Sequence, residues 1–207
     1  MITANRDRVI KDLELSSLVV EKLDEYVSLL EEDQTRMNLV GASTLPDVWI
    51  RHILDSAQLF QKFRSSDETI LDLGSGAGFP ALVLAAMDEG GKRVFHLTES
   101  EGRKADFLNK VIERCDLKAV VHNERIERIN RFDTDIITAR ALAPLDKLIK
   151  YAFPFFGKKT RCLFMKGAKA NEELEKALKK YKCRVEKIQS VTNEEGTILL
   201  LSEVRKK

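Results

Sequence analysis

Asp72-Leu73-Gly74-Ser75-Gly76-Ala77-Gly78 is the stretch whose reading decides the fold. It follows a run that reads as a buried strand, Thr69 to Leu73, and precedes an apolar helix from Pro80 to Met87. Three glycines at alternate positions let a strand turn sharply into a helix, and let a ligand lie against bare backbone. A loop of this build suits an adenosine-containing cofactor. A tight turn with no ligand is the plainer alternative.

The spacing separates one such cofactor from another. The dinucleotide fingerprint is Gly-x-Gly-x-x-Gly. Gly74 and Gly76 satisfy it, but Phe79 stands where the third glycine belongs, and the glycine falls one residue early, at Gly78. Asp72 also occupies a position where that fingerprint wants an apolar strand residue. Asp-x-Gly-x-Gly-x-Gly resembles instead the first motif of class I methyltransferases that use S-adenosylmethionine. Glu99 closes the next strand, Val94 to Glu99, where a carboxylate can accept hydrogen bonds from both ribose hydroxyls. It could also serve as an acid at the start of helix 101–115. Ile126 and Glu127 follow the third strand, at the carboxyl edge where open α/β sheets hold ligands, and are placed to flank an adenine.

Outward from the loop, strands and helices alternate. The pattern predicts strands at 69–73, 93–98, 118–122, 134–138, 160–165, 183–190 and 197–204, with helices at 80–88, 101–115, 144–153 and 170–180. That rhythm implies a parallel sheet covered by helices. The gap Thr192-Asn-Glu-Glu-Gly196 is too short for a crossover helix, so the last two strands pair as an antiparallel hairpin. Residues 1–66 read as a helical N-terminal extension and 67–207 as the Rossmann-like domain. Leu15, Leu18, Val19, Leu23, Tyr26, Val27 and Leu30 make one apolar stripe. Thr44-x-x-Asp47 resembles a capping box for a second helix that buries Ile50, Ile53, Leu54, Ala57 and Phe60.

Composition narrows the class. Of 207 residues, 43% are hydrophobic and 33% charged, which is ordinary for a globular protein. No apolar run approaches the ~20 residues of a membrane helix, and the N-terminus has no apolar signal core, which implies a cytoplasmic protein without membrane contact. Cys115, Cys162 and Cys183 are widely spaced, and His52, His96 and His122 form no ligand pattern, so neither a disulfide framework nor a metal site is expected. A net charge of +2 is no strong nucleic-acid signature. Lys158, Lys159, Arg161, Lys166 and Lys169 are the basic residues expected near the carboxyl edge of the sheet, where they could track RNA phosphates.

Transfer chemistry belongs at the end of the fourth strand, Thr138-Ala-Arg-Ala-Leu-Ala-Pro144. No Asn-Pro-Pro-Tyr or Asp-Pro-Pro-Tyr segment is there to grip an exocyclic amine, and no cysteine to attack a pyrimidine. Arg140 is present, able to hold a carboxylate, phosphate or base carbonyl. Guanine N7 fits this inventory, because its lone pair carries no proton and its attack on a sulfonium methyl needs alignment rather than a general base.

Further matches identify a family. Asn38-Leu39, Arg51-His-Ile-Leu-Asp-Ser56, Asp72 to Pro80, Glu99-Ser100, Arg103-Lys104, Phe107-Leu108, Ala139-Arg-Ala141 and Lys166-Gly167 resemble, in order, the RsmG family (also called GidB). The resemblance implies a class I methyltransferase fold that moves a methyl group from S-adenosylmethionine to N7 of one guanine in 16S ribosomal RNA, near the decoding site. The partner would be the small ribosomal subunit or its precursor. It carries over Gly74, Phe79, Ile126, Glu127 and Arg140 as cofactor-site positions, with Asp72, Gly76, Gly78 and Glu99 expected beside them. Arg51, His52 and Asp55 become candidates for positioning the substrate. Residues 51 and 55 are i,i+4 neighbours on a helix, so Asp55 is expected to hold Arg51 ready for a phosphate or guanine O6. Ala81 replaces a glycine common in the family, the tryptophan often found before Asn38 is missing, and the first long helix is acidic. The rivals are a small-molecule methyltransferase, a nicotinamide-dependent oxidoreductase and a non-catalytic ribosome-assembly factor.

Overall fold

A computed structural model describes residues 2–207. Seven strands form one sheet: β1 Thr69–Asp72, β2 Val94–Thr98, β3 Ala119–His122, β4 Thr134–Arg140, β5 Phe156–Lys166, β6 Tyr181–Gln189 and β7 Thr197–Lys206. Their order is β3-β2-β1-β4-β5-β7-β6. Pairs β1–β2, β1–β4, β2–β3 and β4–β5 are parallel, whereas β5–β7 and β6–β7 are antiparallel. The hairpin therefore folds back so that β7 slots between β5 and β6. Strand order reverses at β1 and β4, and this is the switch point that opens a crevice above the glycine loop.

Four helices cover the sheet: α4 Ala81–Met87, α5 Gly102–Arg114, α6 Leu145–Ala152 and α7 Ala170–Leu178. Alternation along each strand feeds two cores. Ile70, Phe95 and Ile136 pack with Leu82 and Phe107 on one face. Leu71, Ile137 and Phe164 pack with Leu148 and Leu174 on the other. The first core continues without a break into the N-terminal helices α1 Ile2–Asp12 and α2 Ser17–Gln34 through Val9, Leu23, Tyr26 and Leu30.

The N-terminal segment departs from its sequence reading in three places. Leu15 lies ahead of α2, because the Ser16 side chain accepts from Val19 N at 3.2 Å and caps the helix there. Leu18 points outward and is 50% exposed, so it leaves the apolar stripe. Thr44 caps nothing. It sits within a 3₁₀ segment, Ala42–Asp47, and donates to Gly41 O at 2.7 Å. The helix after it is wound as a π-helix over Trp49–Leu54 before a short α3, Asp55–Ala57. Such wide turns often mark functional positions.

Candidate active site

The loop after β1 takes its shape from left-handed glycines: φ is +64° at Gly74, +55° at Gly76 and +100° at Gly78. A Cβ at Gly78 would strike the Leu82 side chain and stand 2.9 Å from the Tyr26 hydroxyl oxygen. A Cβ on Gly76 would meet nothing within 4 Å, so its backbone faces open space. Thr98 at the end of β2 accepts from Gly74 N at 2.9 Å and donates to Asp72 O at 3.0 Å, pinning the loop's start. From the other side, the Tyr26 hydroxyl of α2 donates to Ala77 O at 2.5 Å.

Above this loop lies a cavity of about 390 Å³, within the size range of small-molecule sites. Gly74, Gly76, Phe79, Glu99, Ile126, Glu127 and Arg140 all line it. Asp72 and Gly78 do not. Asp72 is buried beneath the loop, where Oδ1 accepts from Thr138 Oγ1 at 2.6 Å and Oδ2 has no partner among the described residues. Burial pushes its carboxyl up to about 6, against the pull of that hydrogen bond. Glu99 is fixed at both oxygens: Oε2 accepts from Gly76 N at 3.0 Å and Oε1 from Glu101 N at 2.8 Å. Its helix-start role and its place at the cavity thus coexist, because each carboxylate oxygen keeps a further lone pair. Leu39 and Lys104, from two of the family-matching pairs, also line it, and so do Val40 and Tyr151, which no sequence signal singled out.

A second cavity, of about 690 Å³, opens beside the first. Arg51, His52 and Asp55 line it, with Lys169 and the hairpin turn at 190–193 opposite. The expected Arg51–Asp55 pair does not form. Asp55 Oδ2 instead accepts from Arg140 Nη1 at 3.2 Å. Arg51 is exposed, and its guanidinium has no partner among the described residues.

Arg140 is the hinge of the arrangement. Nη2 donates to His52 Nδ1 at 2.8 Å, and the guanidinium carbon sits 5.0 Å from the centre of the Phe79 ring. Phe79 also stacks on His52 at 4.8 Å and on Tyr26 at 5.1 Å. With Nδ1 accepting, His52 carries its proton on Nε2 and donates it to Thr44 Oγ1 at 2.7 Å. Burial, then the charges of Arg140 and Arg51, hold its pKa down at about 3. His52 is thus neutral with both nitrogens engaged, and it cannot serve as a base.

Of the expected RNA-tracking cations, only Lys169 stands exposed at the carboxyl edge. Arg161 is 5% exposed and held by Asp67 at 2.5 Å, and Lys166 is held by Glu173 at 2.7 Å. Lys158 and Lys159 are exposed, but they begin β5 and so lie at the amino end of the sheet.

Comparison with known proteins decides the family. The family described as "GidB: rRNA small subunit methyltransferase G" matches residues 19–199. The chain belongs to the rRNA small subunit methyltransferase G family. Among relatives named "Ribosomal RNA small subunit methyltransferase G", that of Paramagnetospirillum magneticum is 44% identical over 92% of this chain and 91% of its own length. The Rhodospirillum rubrum relative is 40% identical over 94% and 96%. Solved structures carry the same fold. Pyrococcus horikoshii TYW2 in complex with MeSAdo aligns with a TM-score of 0.57 at 15% identity, over 75% of this chain and 62% of that one. The M. jannaschii tRNA m1G37 methyltransferase aligns with a TM-score of 0.55 at 16% identity, over 73% of this chain and 48% of that one. The class I methyltransferase fold expected from the glycine loop is therefore the fold of this family member, and S-adenosylmethionine is its cofactor.

Proposed function

We propose that the protein transfers a methyl group from S-adenosylmethionine to N7 of one guanine in 16S ribosomal RNA, near the decoding site. The observation that carries this reading is the wall shared by the two cavities. The residues common to both are Leu39, Val40, Arg140 and Ala141, and none has a side chain that takes up a proton. A nucleophile placed there must already be unprotonated, as guanine N7 is.

In this reading Gly74, Gly76 and Phe79 bound the cofactor, Glu99 accepts from the ribose, and Ile126 and Glu127 flank the adenine. The open face at Gly76 and the fixed carboxylate of Glu99 fit such a molecule. Bound there, the cofactor supplies an electrophilic sulfonium methyl. Asp72 and Gly78 act from beneath, by shaping the loop. His52 and Asp55 hold Arg140 at the shared wall. Arg51 and Lys169 meet RNA phosphates at the mouth of the second cavity. Residues 1–66 thereby bring Arg51, His52 and Asp55 to the substrate side, where residues 67–207 add Lys169 and the hairpin turn, and 67–207 build most of the cofactor side. The substrate is the small subunit or its precursor in the cytoplasm, and among the described residues no helix is long and apolar enough to cross a membrane.

The test incubates protein and methyl-labelled cofactor with unmethylated small subunits or with naked 16S RNA, then digests to nucleosides. Label is expected in 7-methylguanosine. Label in any other nucleoside overturns the N7 assignment.

A further inference from the structure

The hairpin turn between β6 and β7 reaches across the second cavity and takes hold of the group that holds Arg140. Thr192 Oγ1 donates to Asp55 Oδ1 at 2.5 Å, from 137 residues away in the chain. Gln58 reinforces the junction: its Nε2 donates to Asp55 Oδ1 at 3.0 Å, and its Oε1 accepts from Val191 N at 3.0 Å. Ser190 Oγ lies 3.0 Å from Thr192 Oγ1 and 3.5 Å from Asp55 Oδ1. The carboxylate of Asp55 thus has one oxygen committed to the turn and the other to Arg140. With His52 on the far side of the guanidinium, Arg140 is gripped from two directions in the wall between the cavities.

We propose that Thr192 is a positioning residue for methyl transfer, acting through Asp55 to set the orientation of Arg140. The inference rests on the reading that the second cavity takes the RNA base. A short hydrogen bond to a carboxylate is directional and stronger than a neutral one. Asp55 has a rotatable carboxylate. Without the Thr192 hydroxyl only Gln58 and the longer contact from Ser190 remain on that oxygen, and the carboxylate can turn and carry its other oxygen away from Arg140. The guanidinium then samples orientations that misalign the base with the methyl group, and misalignment lowers the rate of the chemical step rather than the affinity for cofactor.

The experiment compares wild type with Thr192→Val and Thr192→Ser, all as full chains. Thr192→Val is expected to lower kcat for methylation of unmethylated small subunits about tenfold, with calorimetric affinity for S-adenosylmethionine unchanged, and Thr192→Ser is expected to restore it. A readout independent of turnover is the NMR rotation rate of the Arg140 guanidinium, restricted in wild type and in Thr192→Ser and averaged in Thr192→Val. Restricted rotation in Thr192→Val, or failure of serine to restore restriction, overturns the proposal whatever the activity. Averaged rotation with an unchanged kcat also overturns it, because the orientation would then be irrelevant to transfer. Wild type that labels no guanine at N7 counts against the proposed function, and the rotation measurement still decides whether Thr192 governs Arg140.

Discussion

Burial pushes the Asp72 carboxyl up to about 6 and holds His52 down at about 3, and the two act on stability with opposite sign. Between its ordinary value near 3.8 and about 6, Asp72 is protonated in the folded chain and ionised in the unfolded one. Its contribution therefore improves as pH falls through 6, and above 6 the buried charge costs roughly 3 kcal/mol. His52 takes up a proton below 6.5 in the unfolded chain but stays neutral when folded down to about 3, so its contribution worsens over that window. Asp72→Asn should raise Tm at pH 8, and the advantage should shrink by pH 4.5 as Asp72 itself takes up a proton in the folded wild type. A thermal melt series without cofactor checks this, and a pH-independent difference would refute the burial argument. Arg51→Ala should lower methyl transfer to ribosomal RNA at least tenfold if the guanidinium meets a phosphate, while calorimetric affinity for the cofactor stays within a few-fold. Equal loss of both would make Arg51 structural. The identity of Arg51, His52 and Asp55 as a group was legible in the motif, but their partners were not. The π-helical winding of 49–54 has no signature in residue types, and neither has the tie of Asp55 to Arg140, 85 residues further along the chain.

At the scale of elements, the glycine loop separates binding from folding. Gly76→Ala places a methyl group in open space on the cavity side and pays about 1–2 kcal/mol for a left-handed alanine. It should fold, and it should bind S-adenosylmethionine more than tenfold more weakly by calorimetry if cofactor lies on that backbone. Gly78→Ala drives a methyl group into Leu82 and the Tyr26 hydroxyl, so it should lower Tm sharply as well. A Gly76→Ala protein with normal affinity would place the cofactor elsewhere. The strands and helices after residue 67 were legible because each is short, apolar and punctuated. The predicted helix over 101–115 differs from Gly102–Arg114 only at its ends. The predicted strand over 160–165 is instead Phe156–Lys166, and the shift in its register with β4 between Thr134 and Ile136 marks where the unforeseen residues join. Thr44 misled because Ser, Thr and Asp favour turns and caps alike, and here the hydroxyl serves Gly41 and His52.

For the whole molecule, charge matters by location rather than by total. Lys158 and Lys159 are the third and fourth residues of a strand of 11 whose far end is at the cavities, so roughly 25 Å separates them from the site, well beyond the ~8–10 Å over which exposed charges act in physiological salt. Changing both to Glu should leave 16S RNA affinity nearly unaltered, whereas Lys169→Glu should weaken it and reduce the salt slope by about one counterion. Affinity measured across a salt series distinguishes the two, and a larger effect from Lys158 and Lys159 would put RNA on the opposite end of the sheet. The sequence could not reveal which cations were free, since Arg161 is claimed by Asp67, 94 residues earlier, and Lys166 by Glu173. The Tyr26 hydroxyl that rests on Ala77 O is another such long-range tie. Inactivating lesions in this gene need not cluster around the ligand: a change at Tyr26, which does not line the cofactor cavity, would slacken the cradle from behind and mimic a defect in the cradle itself.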